Sequence, residues 1–131
     1  IRNRYATRPW QHVLDVINGY LLLNMRFYKN QKLKGSWNFG PNIDNNKTVE
    51  ILANKIIENW GKGNVKFIKN KIKEDTFLQL NANKAYKHLK WKAQYNFDKS
   101  IKATVGWYKS YYENKNNTDL ITRYQIEEYF G

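Results

Sequence analysis

Apolar side chains recur every three or four residues in three long stretches of the chain, which is the spacing that gives an α-helix one apolar face. The first stretch predicts a helix over residues 13–29. The second predicts a helix that Thr48 caps and Gly61 ends, and the third a longer helix that begins near Phe97. Shorter helices are predicted over 82–89 and, from a capping-box pattern at Thr122, near the end of the sequence.

Strand-like patterns are short and few. The run SWNFG puts Trp37 and Phe39 on one face and predicts a strand at 36–40, and alternation predicts further strands near Val65 and over 76–80. Residues 1–10 are expected to be extended, since a proline at position 9 keeps its predecessor out of the helical region. The turn formers of PNIDNNK predict a loop. The pattern predicts an α/β chain of mostly helices and a few short strands, without repeats or an internal linker.

Composition is that of one globular domain. The chain has 131 residues, 41% of them hydrophobic, and no cysteine. The lack of cysteine excludes a disulfide framework and a thiolate metal site, and is typical of a reducing compartment. No apolar run is long enough to cross a bilayer and no signal peptide is visible, so we expect a cytoplasmic protein without a membrane partner.

The charge balance is strongly basic, with a formal net charge of +12 and a pI near 9.8. Such a balance can indicate nucleic-acid binding. Here the lysines are scattered among asparagines along the whole chain, without an arginine run, zinc-ligand spacing or RNP-like aromatic motif. We therefore expect no nucleic-acid partner, while a free-standing basic nucleic-acid-binding module remains the alternative from another class.

Residues with catalytic potential are sparse. The sequence contains no GxGxxG-type glycine cluster, no P-loop, no HExxH and no defensible triad, so we predict no catalytic, cofactor-binding or metal-binding residue in it. His12 stands at a helix start, where it can bond the backbone, and His88 lies in a lysine-rich helix. The remaining candidate is Arg8, which can bind an anion or be an ordinary surface charge.

Five residues near the start carry a family resemblance: Arg8, Trp10, His12, Val13 and Asp15. They resemble the R-x-aromatic-x-H/Y-V-x-D segment of extended short-chain dehydrogenases/reductases acting on nucleotide sugars. The string ATRPWQHVLD followed by GYLLL, then WNFGPN, IIENWG, FLQLNANKA and TVGWYK in that order, resembles CDP-glucose 4,6-dehydratases over nearly the whole chain. Another nucleotide-sugar dehydratase or epimerase is the nearest alternative, although Pro9 and Gln11 replace the Asp and apolar residue usual there.

The resemblance implies that the chain is the C-terminal, substrate-binding portion of an extended Rossmann-type enzyme. Residues 12–40 would then pack on a nucleotide-binding domain outside the chain, and 41–131 would form the substrate lobe. Enzymes of the family convert CDP-glucose to CDP-4-keto-6-deoxyglucose with loss of water, using tightly bound NAD. The resemblance places NAD and the catalytic residues in an N-terminal part, so this fragment alone is expected to be inactive. Homo-oligomerisation is left open.

Three substrate-binding residues follow from the same resemblance, with a CDP-sugar as the partner. Arg8 is expected to bind the diphosphate, because a planar guanidinium can pair with two phosphate oxygens at once. Asn38 is expected to orient phosphate or sugar oxygens, with a turn-capping role as the alternative. Glu74 lies in KEDTFLQL, an expected substrate loop in which Thr76 replaces the histidine usual in the family.

Overall fold

The computed structural model describes residues 1–29, 31–68 and 75–131. In these ranges the chain forms five α-helices, a two-stranded antiparallel sheet and three short 3-10 turns. In chain order the strands and helices are β1 Thr7–Pro9, α1 Val13–Lys29, β2 Asn46–Thr48, α2 Val49–Trp60, α3 Asn83–Leu89, α4 Phe97–Glu113 and α5 Thr118–Phe130. The 3-10 turns span Gln31–Leu33, Ile43–Asn45 and Lys115–Asn117. No helix in the described ranges has both the length and the apolar character needed to cross a membrane.

Helix α1 has the predicted bounds and two apolar faces. On its inner face Leu14 is buried, and Gly19 packs so closely on the Phe39 ring that a Cβ there would overlap it. On its outer face Tyr20 is 61% exposed and Met25 66% exposed. The inner face is thus used within this chain, whereas the outer one is open to solvent.

Helix α2 also begins and ends as predicted. The Thr48 hydroxyl accepts a hydrogen bond from the Ile51 amide at 3.2 Å, and Gly61 ends the helix with a φ of 91°. This φ lies in the left-handed region, which glycine adopts without a Cβ penalty. The helix packs against α4 through Leu52 and Trp60.

Two further apolar clusters join the remaining elements. Ala85 and Leu89 of α3 pack with Phe39, Trp91 and Ala93, and the inner face of α1 lies against them. The second cluster brings the start of α1 against α5 and consists of Leu14, Tyr95 and Tyr129.

The three predicted strands do not form. Residues 36–40 form no strand, although Phe39 is buried and Asn38 exposed as the alternation indicated. The stretch around Val65 is no strand either, and within 76–80 only Phe77 makes an isolated parallel bridge, to Thr7. The partner of β1 is β2, which consists of the last two residues of the predicted loop and the predicted helix cap Thr48. Strand formation depends on a distant partner, which a local pattern cannot supply.

The predicted capping box at Thr122 is also wrong, because α5 begins four residues earlier, at Thr118. The Thr122 hydroxyl lies inside the helix, where it donates to the Thr118 carbonyl at 2.7 Å. It also accepts a hydrogen bond from the Trp107 indole at 2.8 Å. Its polar group therefore joins α5 to α4 instead of starting a helix.

Candidate functional site

Arg8 occupies the middle of β1, opposite Lys47 of β2. The extended backbone at Arg8 follows from Pro9, which disfavours the helical conformation of the residue before it. In an antiparallel pair, residues that face each other carry their side chains on the same side of the sheet. The pairing therefore puts two cationic side chains side by side.

Hydrogen bonds along both edges hold β1 between β2 and the segment 75–80. On one edge the Trp10 indole donates to the Lys47 carbonyl at 2.8 Å. On the other edge the Thr7 amide donates to the Thr76 carbonyl at 2.8 Å. The Asn46 amide faces the carbonyls of Arg8 and Leu78, and with its nitrogen assigned to that side it donates to them at 3.0 and 3.3 Å. The segment 75–80 is thereby held beside the strand that carries the arginine.

The Arg8 guanidinium is half-buried and largely uncommitted. Its Nη1 donates to the Thr7 carbonyl at 2.7 Å, one use of the five donors that an arginine carries. No carboxylate of the described residues forms an ion pair with it. By contrast, the neighbouring Arg4 forms a two-pronged ion pair with Glu50. Arg8 therefore keeps most of its guanidinium donors open to an external anion, whereas those of Arg4 are paired with Glu50.

Lys47, which the sequence had not singled out, is a second cationic residue beside Arg8. Its ammonium makes no ion pair with any described carboxylate, and the residue is half-buried. No sign of it was visible in the sequence because Lys47 is the last residue of the predicted loop PNIDNNK, and the register that sets it opposite Arg8 is a tertiary property.

Asn38 stands apart from the sheet. It is exposed, and its amide forms no hydrogen bond with a described residue. Its neighbour Phe39 is buried against α1 and meets the Trp91 ring edge-on at 5.1 Å. The alternative role of Asn38, a turn cap, is therefore not formed among the described residues, and no hydrogen bond joins Asn38 to Arg8.

A polar cleft of about 510 Å³ opens two residues after Asn38. One wall is the segment 40–43 and the other is 79–83. The walls meet at Gly40, where a Cβ would lie 2.6 Å from the Leu80 Cβ, so the NFGPN motif requires glycine for this close approach. The predicted residue Glu74 lies outside the described residues.

Asp15 is a buried structural carboxylate. It is fully buried, and its Oδ1 accepts hydrogen bonds from the Tyr129 hydroxyl and the Gln94 amide, both at 2.7 Å. Its backbone carbonyl accepts from the Trp91 indole at 3.1 Å. Burial, and after it the Asp15 carboxylate, raise the pKa of Tyr129, which keeps the phenol protonated as a donor. The acid of the motif therefore joins α1 to α5 and to the segment before α4.

His12 has a similar supporting role. It is buried, its ring lies 5.2 Å from that of Tyr95, and its Nδ1 accepts a long hydrogen bond from the Leu14 amide at 3.4 Å. Burial lowers the pKa of His12, and the Asp15 charge opposes this shift. A neutral ring with a free Nδ1 lone pair is the form that this contact needs.

The described residues contain no group of three or more His, Asp or Glu side chains that could hold a metal ion. They also contain no glycine-rich turn before a helix of the kind that cradles a dinucleotide. Among the described residues, β1 and β2 thus present two cationic side chains, Arg8 and Lys47, and no glycine-rich turn offers a cradle for a dinucleotide.

The fold is that of part of a Rossmann-type short-chain dehydrogenase/reductase. Among solved structures, dTDP-glucose 4,6-dehydratase from Bacillus anthracis strain Ames, in complex with NAD, matches with a TM-score of 0.67 and 22% identity. The match covers 90% of this chain and 35% of that chain. The predicted fold class, a mostly helical portion of such an enzyme with a few short strands, is confirmed.

The particular resemblance seen in the sequence is also confirmed. The chain is 31% identical over 134 aligned residues to CDP-glucose 4,6-dehydratase from Salmonella typhimurium. The alignment covers 100% of this chain and 37% of that relative, its C-terminal part, so the chain spans little more than a third of the relative's length. No protein-family model matches the chain.

Proposed function

We propose that this chain is the substrate-binding part of a nucleotide-sugar 4,6-dehydratase, a lyase that converts CDP-glucose to CDP-4-keto-6-deoxyglucose with loss of water. NAD and the residues that carry out the chemistry belong, in this proposal, to a part of the enzyme outside the chain. The whole-length similarity to the C-terminal part of CDP-glucose 4,6-dehydratase supports this assignment.

The observation that supports the site assignment is that the Arg8 guanidinium, on a strand held along both edges, has most of its donors free toward the described residues. A guanidinium keeps its charge at any working pH and can pair with two oxygens of a diphosphate. The hydrogen bonds from Trp10 to β2 and from Asn46 to β1 hold the backbone that carries this guanidinium. Arg8 would anchor the diphosphate, so that the glucose ring is presented to the nucleotide-binding part.

Asn38 and Glu74 complete the proposed substrate-binding set. Asn38 is exposed, and its amide, free toward the described residues, can offer both a donor and an acceptor to a sugar or phosphate oxygen. Glu74 would act from the segment that leads into 75–80, which the Thr7 and Asn46 bonds hold beside β1.

The test compares Arg8→Ala and Arg8→Lys in the complete protein that carries this chain. Arg8→Ala should cost on the order of 2–3 kcal/mol of CDP-glucose binding, and Arg8→Lys should recover only part of it because an ammonium lacks the fork. The loss should appear mainly in KM, since the diphosphate is bound alike in the ground and transition states. NAD affinity, measured separately, should hardly change. Wild-type CDP-glucose affinity in both variants would make Arg8 a surface charge.

The isolated 131-residue chain provides a second test. Incubated with NAD and CDP-glucose, it should neither bind NAD nor release the keto-sugar, which is followed by its absorbance in alkali. Turnover above a protein-free control would refute the placement of the chemistry outside this chain. Binding that ignores CDP-sugars but falls linearly in log affinity with log salt on unrelated nucleic acids would instead favour a nucleic-acid module.

A further inference from the structure

We propose that Lys47 is a second phosphate-binding residue, which with Arg8 forms a two-cation clamp on the diphosphate of the substrate. The inference rests on the proposed function and extends it to a residue of β2. Nothing in the sequence motif around Arg8 indicates Lys47, which lies 39 positions further along the chain.

The geometry that carries the proposal is the register of the sheet. Arg8 faces Lys47 directly, flanked by the Thr7–Thr48 and Pro9–Asn46 pairs. Facing residues on adjacent antiparallel strands have Cβ atoms about 4.5–5.5 Å apart and project on the same side. Two long cationic side chains that start this close together on one side of the sheet can each reach one of two neighbouring phosphate groups.

The pairing is unfavourable unless an anion offsets it. Like charges directly opposite each other on a sheet destabilise it, and both side chains are half-buried, where screening by solvent is reduced. None of the described carboxylates pairs with either one, whereas Lys55 on α2 is paired with both Glu58 and Asp98. A bound diphosphate supplies the missing negative charge.

The structural role of Lys47 resides in its backbone. Its carbonyl accepts the Trp10 indole hydrogen bond, and its backbone forms the middle of the ladder with β1. A substitution of the side chain leaves both contacts in place. The Lys47 side chain can therefore be tested without removing what holds the sheet together.

The experiment measures CDP-glucose and NAD affinities of the complete protein for Lys47→Gln, Lys47→Arg and Arg8→Ala. The control is Lys62→Gln, which removes the same charge beyond the far end of α2, where Lys62 is exposed. Lys47→Gln should weaken CDP-glucose binding about tenfold, the value of one charge-assisted phosphate contact. Lys47→Arg should stay close to wild type, and Lys62→Gln should have no effect. The wild-type affinity should also fall more steeply with ionic strength than that of Lys47→Gln.

The outcomes separate this inference from the proposed function. If Arg8→Ala weakens CDP-glucose binding and Lys47→Gln does not, the clamp is refuted and the proposed function stands. If neither substitution matters, both fail together. If Lys47→Gln weakens NAD binding as strongly as CDP-glucose binding, or Lys47→Arg fails to restore the affinity, the side chain acts on the fold, and the clamp is likewise refuted.

Discussion

Replacing Tyr129 with phenylalanine removes one oxygen atom from a buried group that joins α5 to α1. The Tyr129 hydroxyl donates to Asp15 Oδ1 at 2.7 Å, and the tyrosine is only 4% exposed. Asp15 Oδ2 has no hydrogen-bond partner among the described residues, so the carboxylate depends on two donors, this hydroxyl and the Gln94 amide. The substitution takes one of the two away and leaves the aromatic packing intact.

The size of the effect follows from the charge and burial of the acceptor. A hydrogen bond to a charged group contributes about 1.5–3 kcal/mol to stability. A buried acceptor that loses its donor cannot replace the lost bond with a hydrogen bond to water. The long contact from Asn18 to the same hydroxyl, at 3.5 Å, adds little. We expect Tyr129→Phe to lower the free energy of unfolding by about 2 kcal/mol.

Tyr95 offers a matched control in the same cluster. Its ring lies 5.1 Å from that of Tyr129, and its hydroxyl is buried without a hydrogen-bond partner among the described residues. Tyr95→Phe should therefore leave stability unchanged within about 0.5 kcal/mol, or raise it slightly.

Urea denaturation followed by tryptophan fluorescence provides the assay, because Trp91 is buried and bonded to the Asp15 carbonyl. The midpoint should fall for Tyr129→Phe at an unchanged slope. Equal stability of Tyr129→Phe and Tyr95→Phe would show that the Asp15 bond contributes nothing net, and would refute the reasoning.

Two further predictions use the same denaturation measurement. Burial holds the pKa of His12 in the folded protein below its unfolded value of 6.5. The contribution of His12 to the free energy of unfolding should therefore be fully present above pH 6.5 and should decline as the pH falls from there toward the folded pKa. His12→Gln should flatten this decline and the exposed control His88→Gln should not; equal profiles for all three proteins would contradict the prediction. Gly40→Ala should cost about 1–3 kcal/mol through its clash with Leu80, whereas Gly106→Ala, in open space within α4, should stabilise by about 0.5–1 kcal/mol. Equal effects of the two glycine substitutions would rule out the close approach at Gly40.

The sequence was enough to predict the helices, apart from the start of α5, because helix formation is local. The apolar spacing, the Thr48 cap and the Gly61 stop lie within a few residues of the backbone that they shape. It also determined the extended backbone at Arg8, since Pro9 acts on its immediate neighbour. The family resemblance then indicated what Arg8 could bind, which the local physics alone left open.

The sheet and the partners of the buried polar groups could not be predicted without the folded structure. The alternating side chains of 36–40 suit a strand, but no described strand pairs with them, whereas Asn46–Thr48, with no strand pattern, pairs with β1. The sequence pattern predicted Thr122 as a helix cap, but its hydroxyl accepts a hydrogen bond from the Trp107 indole of α4. Lys47 became a candidate only when the register set it opposite Arg8. Strand pairing and buried hydrogen bonds join residues far apart in the chain, so their energy depends on contacts that no short window of sequence contains.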